Sequence, residues 1–269
     1  MIERIVDLQR YPIHAPDTEA YRELVTHACG EMNDDGALAL PGFLTGSAIE
    51  TLVADARRAQ SGSHRMQGYY TAYSDNLNDG VDPTLPADHP NRLRLPASHR
   101  FIPDDLIADD SPLRRVYDHR PFVEFLRVVL QIPTIHPIAE PLGRINLLSY
   151  GPGDCNGWHF DTNEFIVSLV LQTAEAGGEY HYIPNLRTRD DENIAAVSWR
   201  MQNPDAQEGV RRAELEPGSL FLFKGRYTLH RVTEIGGGRD RIVAILSYHQ
   251  TPGHTLSESS MMAMYGRTE

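Results

Sequence analysis

The chain has 269 residues, of which 41% are hydrophobic and 23% charged. This composition supplies enough apolar material for a substantial core, so it excludes an intrinsically disordered protein. The formal net charge of −12 disfavours a nucleic-acid-binding protein, because phosphates repel an acidic surface. No apolar run approaches the roughly 20 residues of a membrane helix, and the N-terminus lacks a signal-peptide pattern, so we expect a cytoplasmic protein. Cys29 and Cys155 cannot form a disulfide framework and are predicted to be free thiols.

Helical periodicity dominates the start of the chain. Apolar residues recur at helical spacing after Asp17, which we predict to be the N-cap of a first helix. The run ALALPGFL predicts a short strand. Ser47 and Glu50 have the spacing of a capping box, which predicts the start of a second helix.

Residues 61–111 differ in composition, being rich in Gly, Pro, Asp, Asn and Ser. They predict a long loop, which in a compact domain is usually functional or disordered. A helix is predicted to resume after the N-cap Ser111, with Pro112 in its first turn, and another at Pro121.

From Arg144 onwards the hydrophobic period changes to two, which indicates β-strands separated by turns. The predicted strands are RINLLSY, FIVSLVLQ, GEYHYI, AAVSWR, GSLFLF and DRIVAILSYH. Many short strands of this kind favour a jelly roll, a two-sheet barrel whose interior can hold a ligand. We therefore expect a mainly β protein with helices, built as one domain. Its parts would be helical support and a substrate loop (1–135), a jelly-roll core (136–255) and a C-terminal segment (256–269).

Three residues have the pattern of a metal centre. His159 and Asp161 follow the turn GPGDCNGW, where a strand is predicted to begin. In an extended backbone, residues i and i+2 face the same side, so both side chains can reach one ion. His230 would supply a third ligand from a later strand. Two histidines and one carboxylate on one face of an octahedron form the ligand set of non-haem Fe(II) oxygenases.

Arg241 opens the strand RIVAILSYH, shortly after His230 in the sequence. Period two places on one face of this strand Arg241, Val243, Ile245, Ser247 and His249. An arginine in an otherwise apolar strand needs an anion, and a dicarboxylate cosubstrate would supply one through a bidentate contact. The alternative is an ion pair with an acidic residue at the barrel rim. Arg239, in the GGGRD turn, is predicted to be solvated.

These residues together resemble the Fe(II)/2-oxoglutarate-dependent dioxygenase superfamily. The runs GWHFDTNEFIVSLVLQTAEAGGEYHYIPNLR and GSLFLFKGRYTLHRVTEIGGGRDRIVAILSYHQTPG resemble carrier-protein-independent amino-acid halogenases and their lysine-hydroxylating relatives, over residues 90–255. The resemblance implies a double-stranded β-helix that uses Fe(II), 2-oxoglutarate and O₂ to oxidise an unactivated C–H bond, with decarboxylation of 2-oxoglutarate to succinate. The implied substrate is a free amino acid, expected to be basic, such as lysine or a derivative.

Two departures from the family pattern bear on the chemistry. The halogenases have Gly or Ala at the position of Asp161, which leaves a coordination site for chloride, so hydroxylation is expected here. Desaturation or ring closure stays open, because both start from the same hydrogen abstraction. Many superfamily members place Ser two residues after the cosubstrate Arg, where this chain has Val243. Asn146, Tyr150 or Ser247 could supply the missing contact to 2-oxoglutarate.

Substrate contacts are implied by position in the resemblance. The relatives bind the amine of a basic amino acid with an acidic side chain and its carboxylate with an arginine. The matching residues are Glu140 for the amine, Arg94 for the carboxylate, and His249, Thr251, Asn156 and Trp158 for further contacts. The charged candidates could equally be solvated surface groups, and Trp158 could instead anchor the core.

Two other functions fit parts of the pattern. A phytanoyl-type oxygenase acting on another small molecule shares the helical start and the LALPGFL-like strand. A cupin-like barrel that binds a metal or ligand without turnover shares the fold class. Arg241 favours an enzyme over a binding module, because a binding module has no need of a dicarboxylate anchor. The sequence does not indicate an oligomeric state.

Overall fold

An antiparallel barrel supported by helices forms the centre of the computed structural model, which describes residues 2–73 and 82–269. The helices are α1 (Glu19–Asp34), α2 (Gly46–Ala59), α3 (Pro112–Tyr117), α4 (Arg120–Val129), α5 (Ile194–Gln202) and α6 (Glu258–Tyr265). The strands are β1 (Ala37–Leu40), β2 (His64–Tyr70), β3 (Leu95–Ile102), β4 (His136–Pro137), β5 (Ile145–Tyr150), β6 (Cys155–His159), β7 (Ile166–Gln172), β8 (Ala176–Gly177), β9 (Tyr180–Ile183), β10 (Arg211–Ala213), β11 (Leu220–Phe223), β12 (Leu229–Val232), β13 (Ile235–Gly236), β14 (Arg241–Leu246) and β15 (Tyr248–His249). None of the helices in this described part is both long and apolar enough to span a bilayer.

The main sheet has the strand order β1-β11-β7-β14-β5-β3-β6-β12-β9-β10, with β2 paired to β3. Strand β3 joins the two halves of this sheet: residues 100–102 pair with β5, whereas Ala97 and Ser98 pair with β6. Strands β5 and β6 therefore pair with different parts of β3, one in each half of the sheet. The sheet bends at β3, and its two halves face each other. The predicted jelly-roll, or double-stranded β-helix, core with helical support is confirmed.

Period-two burial gives the barrel wall two different faces. Leu169 of β7 and Ala244 of β14 belong to the core shared with the helices, where they pack with Leu52 of α2 and Phe125 of α4. Residues of opposite parity on the same strands, such as Ser168, line the barrel cavity. Burying a Leu or Phe side chain contributes about 1.5–3 kcal/mol. The helical layer therefore stabilises the outer face and leaves the inner face available for polar groups.

Two predicted elements are wrong. Residues 61–111 are not one long loop, because they contain β2 and β3, paired from His64↔Phe101 to Tyr70↔Leu95; residues 74–81 of that segment lie outside the described residues. Gly, Pro and Arg weaken the strand pattern in the sequence of this hairpin. The hairpin is instead stabilised by the pairing of β3 with β5 and β6. The run AAVSWR is part of α5 and not a strand. Ala and Arg favour a helix, and the four-residue spacing of the buried Val197 and Met201 places both on one helix face.

Helix starts are displaced by one or two residues from their predictions. Thr18, not Asp17, caps α1, and Thr45, not Ser47, caps α2; each hydroxyl accepts a backbone N–H in the first turn. The N-cap Ser111 of α3 is as predicted. Cys29 and Cys155 are free thiols.

Candidate metal centre and active site

His159, Asp161 and His230 converge inside the barrel. His159 is the last residue of β6 and lies opposite His230 of β12 in the sheet register. Asp161 follows two residues later, with its backbone N–H donating to the carbonyl of Gly225 at 3.1 Å. The ligand atoms of the three residues all lie within 4.8 Å of one another. The tripeptide thus ends a strand instead of beginning one, and its two outer side chains still face the same point.

Backbone carbonyls fix the orientation of both imidazole rings. Nδ1 of His159 lies 2.7 Å from the carbonyl of Gly157, and Nδ1 of His230 lies 2.9 Å from the carbonyl of Thr228. A carbonyl only accepts, so each Nδ1 carries the proton and each Nε2 presents a lone pair. Burial lowers the pKa of both histidines to about 4, the neighbouring ring adding to this at His159, so both rings are neutral at pH 7.

The metal-binding atoms of the three residues face each other at this site. The Nε2 atoms of His159 and His230 lie 3.8 and 3.4 Å from the carboxylate oxygens of Asp161. Oδ2 of Asp161 is buried without a hydrogen-bond partner, and burial raises the pKa of this carboxyl group. Three potential metal-binding groups thus converge on one point, and a cation there would favour the charged form of the buried carboxylate. The donor set fits an Fe(II)-type ion, with Nδ1–H bonds to carbonyls orienting the ligands.

Gly225 makes room for the carboxylate ligand. A Cβ atom at this position would lie 2.5 Å from Oδ2 and 2.9 Å from Cβ of Asp161. Any larger residue would push the carboxylate away from the two histidines. The Gly225 carbonyl thus fixes the backbone of Asp161, and the missing side chain of Gly225 leaves space for the Asp161 carboxylate.

A cavity of about 270 Å³ extends from the metal ligands along the barrel interior. This volume is close to the lower end of the roughly 300–1,000 Å³ typical of small-molecule sites. Inward-facing residues of the core strands form one part of its wall, and the β2–β3 hairpin and α6 form another. The residues from these last elements are Met66, Tyr70, His99, Phe101, Ser260 and Met264.

Arg241 lies on the inner face of β14 and is only 6% exposed. Its guanidinium carbon is 5.5 Å from the ring centroid of Tyr150, which sits opposite it on β5. No carboxylate lies within ion-pair distance of Arg241 in the described part of the chain, so the predicted alternative of a structural ion pair has no support there. Burial lowers the pKa of Arg241, although a guanidinium stays protonated. The site thus presents a buried positive charge to the cavity.

The other predicted cosubstrate residues also reach this cavity. Asn146, Tyr150 and Ser247 all line it. Asn146 is already engaged, because it donates to the carbonyl of Gly143 and accepts the hydroxyl of Tyr265. Tyr150 is the one beside Arg241. By contrast, Arg239 is exposed and donates to the carbonyls of Thr173 and Ala174, in agreement with a solvated residue.

The predicted substrate residues, apart from Asn156, do not line the cavity. Arg94 and Thr251 are exposed, and the Glu140 carboxylate accepts the backbone N–H of Leu142. His249 leaves the inner face because β14 ends at Leu246 and His249 pairs with His136 in a separate two-stranded sheet.

Trp158 anchors a core, the alternative that the sequence left open. It is 1% exposed, and its indole N–H donates to the carbonyl of Pro204 at 2.7 Å. Arg231 lies over the same ring at 4.9 Å. Period two explains this outcome, because the neighbours of His159 in β6 face away from the metal ligands.

Tyr180 and His99 are among the cavity residues that were not predicted from the sequence. Tyr180 lies on β9 with its ring stacked on His230, 5.4 Å between centroids, and its buried hydroxyl has no hydrogen-bond partner. His99 lies on β3, in the segment predicted to be a loop. The inward period of GEYHYI could have indicated Tyr180. Nothing in a single sequence could have indicated His99 without recognition of β3.

A family described as Halogenase D matches residues 94–266. No curated protein matches the sequence. The fold is similar to that of the non-haem α-ketoglutarate-dependent epimerase SnoN from nogalamycin biosynthesis, with a TM-score of 0.57 and 12% identity over 85% of this chain and 83% of that one.

Two further solved structures are similar. AviO1 from Streptomyces viridochromogenes Tue57 gives a TM-score of 0.56 and 16% identity, covering 86% of this chain and 97% of that one. HygX from Streptomyces hygroscopicus was solved with nickel, 2-oxoglutarate and hygromycin B bound. Its TM-score is 0.53 and its sequence identity 12%, and the match covers 84% of this chain and 87% of that one. At these identities the similarity establishes the fold, and the Halogenase D match extends over more than half of the chain.

Proposed function

The chain belongs to the Halogenase D family, and on that premise we propose that it is an Fe(II)/2-oxoglutarate-dependent dioxygenase that hydroxylates an unactivated C–H bond of a small molecule. The observation that carries this proposal is the carboxylate of Asp161 beside the two neutral histidines. A carboxylate at this position occupies the coordination site that a halide would need, and its charge disfavours an anion next to it. Hydroxylation is therefore proposed in place of halogenation.

The protein residues hold and orient the reactants. When bound, Fe(II) together with 2-oxoglutarate and O₂ supplies the oxidising power for the C–H bond. His159 and His230 direct lone pairs at the metal position, because their Nδ1 protons are committed to backbone carbonyls. The aromatic rings of Tyr180 and Phe223 pack against His230 and keep water from this side of the site.

Arg241 is proposed to bind the distal carboxylate of 2-oxoglutarate. Its support is a buried guanidinium that faces the cavity without an acidic partner in the described chain. Tyr150 and Tyr180 lie near enough to influence its pKa, and the unpaired Tyr180 hydroxyl is a further donor for the same carboxylate. These tyrosines would replace the serine that many superfamily members place at the position of Val243.

The proposed substrate is a free amino acid, as the family resemblance implies. A basic side chain has less support, because Glu140, the predicted partner of an amine, is not among the cavity-lining residues. The proposal therefore covers free amino acids as a class, and lysine is one of the amino acids to be tested as a substrate.

The experiment is a coupled measurement of succinate and product. Purified protein is incubated with Fe(II), 2-oxoglutarate, O₂ and a panel of free amino acids in the presence of chloride, and products are analysed by mass spectrometry. We expect substrate-dependent succinate and a product that gains one oxygen atom. A chlorinated product would refute the role of Asp161, and a product that loses two hydrogens would identify desaturation or ring closure. Metal binding without succinate would identify a binding module.

A further inference from the structure

His99 of β3 is a buried histidine in the cavity wall whose ring nitrogens have no partner. The residue is 2% exposed, and its ring packs at 4.6 Å from Phe101 and 4.8 Å from Tyr150. Neither Nδ1 nor Nε2 has a well-aligned hydrogen-bond partner in the described chain, although the Ser98 backbone lies close enough to act on the pKa of the ring. Burial, with the nearby His159 ring, lowers the pKa of His99 to about 3, so the ring is neutral with one N–H donor and one lone pair.

The isolation of these two nitrogens indicates a ligand. Buried side-chain nitrogens in proteins nearly always have a partner, because unpaired polar groups destabilise the fold. A phenylalanine could fill the same space between Phe101 and Tyr150 without that cost. His99 is not used by the metal centre, since His159, Asp161 and His230 complete that ligand set. A polar group that enters the cavity, in place of any water bound there, can supply the hydrogen bond.

The charges of the cavity favour an uncharged group. Asp161 is the only carboxylate and Arg241 the only permanent cation among the described residues that line it. These two charges cancel, as do those of Fe(II) and the 2-oxoglutarate dianion. An ammonium group brought inside would have no counter-charge, and burying an unpaired charge is strongly unfavourable. The wall near His99 is instead apolar or neutral, with Met66, Phe101, Met264 and Ser260.

We propose that His99 is a substrate-specificity residue that hydrogen-bonds an uncharged polar group, such as an amide or hydroxyl, in the part of the substrate that enters the cavity. This inference rests on the proposed function and narrows the amino-acid class to uncharged side chains. His99 shares β3 with Phe101, and both face inward with Met66 of β2, which is the cross-strand neighbour of His99. The β2–β3 hairpin would thus determine substrate specificity, while the core strands bind the metal and the cosubstrate.

The test measures binding without turnover. Protein loaded with Ni(II) and 2-oxoglutarate is titrated calorimetrically with L-glutamine, L-leucine and L-lysine, which present an amide, an aliphatic and an ammonium side chain. We expect L-glutamine to bind at least about tenfold more tightly than the other two, the size of one well-formed hydrogen bond in a buried site. Tighter binding of L-lysine would overturn the proposal. So would a failure of all three to bind while 2-oxoglutarate still binds.

Variants separate recognition from structure. His99→Phe keeps the ring stack and removes both nitrogens, so L-glutamine binding should fall at least about tenfold while L-leucine and 2-oxoglutarate binding stay unchanged. Its melting temperature should not fall, because unpaired polar atoms are removed. His99→Gln, which keeps a donor and an acceptor, should retain part of the preference for L-glutamine, and the exposed Tyr69→Phe on the same hairpin is the control.

Three results would count against His99 in this role. One is unchanged L-glutamine binding in His99→Phe, and another is a loss in 2-oxoglutarate affinity larger than the loss for L-glutamine. The third is a His99→Gln variant that loses the preference completely. If the unmodified protein fails to bind 2-oxoglutarate in the presence of Ni(II), the proposed function itself fails, and this result is distinct from the other three.

Discussion

Replacing Arg241 with methionine removes a buried charge while keeping most of the side-chain volume. If Arg241 binds the distal carboxylate of 2-oxoglutarate, the variant loses a bidentate charge-assisted contact, which amounts to about 2–5 kcal/mol. The dissociation constant for 2-oxoglutarate should then rise roughly 30- to 4,000-fold. Since no carboxylate in the described chain is within ion-pair distance of Arg241, the change leaves no acidic group unpaired. The free energy of unfolding without ligands should stay within about 1 kcal/mol of the original.

Calorimetry of Ni(II)-loaded protein gives the 2-oxoglutarate affinity, and urea denaturation gives the stability. Arg239→Met is the matched control, because Arg239 lies two residues away and is exposed. Its 2-oxoglutarate affinity should be unchanged. The reasoning is refuted if Arg241→Met loses stability but keeps its affinity for 2-oxoglutarate. It is also refuted if the variant loses affinity for 2-oxoglutarate and for the substrate to the same extent, since equal losses indicate a structural role for Arg241.

Three further predictions concern the metal centre and the buried histidines in and beside it. Asp161→Gly should abolish the oxygenated product, and mass spectrometry in high chloride should find oxygen, not chlorine, in the product of the unmodified protein. Gly225→Ala should weaken metal binding at equilibrium dialysis, because its Cβ would displace the Asp161 carboxylate; unchanged affinity would show that the ligand can shift freely. The pKa values of His99, His159 and His230 lie well below their ordinary 6.5, so the unfolded chain takes up protons first as the pH falls. Stability of the metal-free protein should therefore be full above pH 6.5 and decline towards pH 4, by up to about 1.4 kcal/mol per histidine and pH unit, and a denaturation midpoint independent of pH between 7 and 5 would contradict this.

The parts of the site that depend on local geometry could be predicted from the sequence. The i, i+2 spacing of His159 and Asp161 and the strand position of His230 are enough to indicate their convergence. The inward period of β14 likewise places Arg241 and Ser247 on the cavity side. These predictions require only that each segment is extended, which aliphatic and aromatic residues at period two indicate strongly.

The parts that depend on distant pairing could not be predicted. Strand β3 has a weak strand composition, and it is fixed by neighbours on β5 and β6 that come later in the chain. His99 was hidden by that error. His249 was placed inside because the period was extended past Leu246, where β14 ends. The prediction of AAVSWR as a strand was wrong for another reason. A short apolar run fits a helix as well as it fits a strand.

The pairing of β1 with β11 has a consequence for biosynthesis. Ala37 lies opposite Phe223, so β1 can join the sheet only after the much later strand β11 has left the ribosome. At about 5–20 residues per second, the interval between the two strands is roughly 10–40 s. During this time the apolar face of the early helices is covered only in part, because Leu220 and Leu222 of β11 have not yet been made, and non-local pairing of this kind folds slowly. The nascent chain therefore exposes apolar surface during this interval, and the metal ligands can converge only after His230 of β12 has also been synthesised.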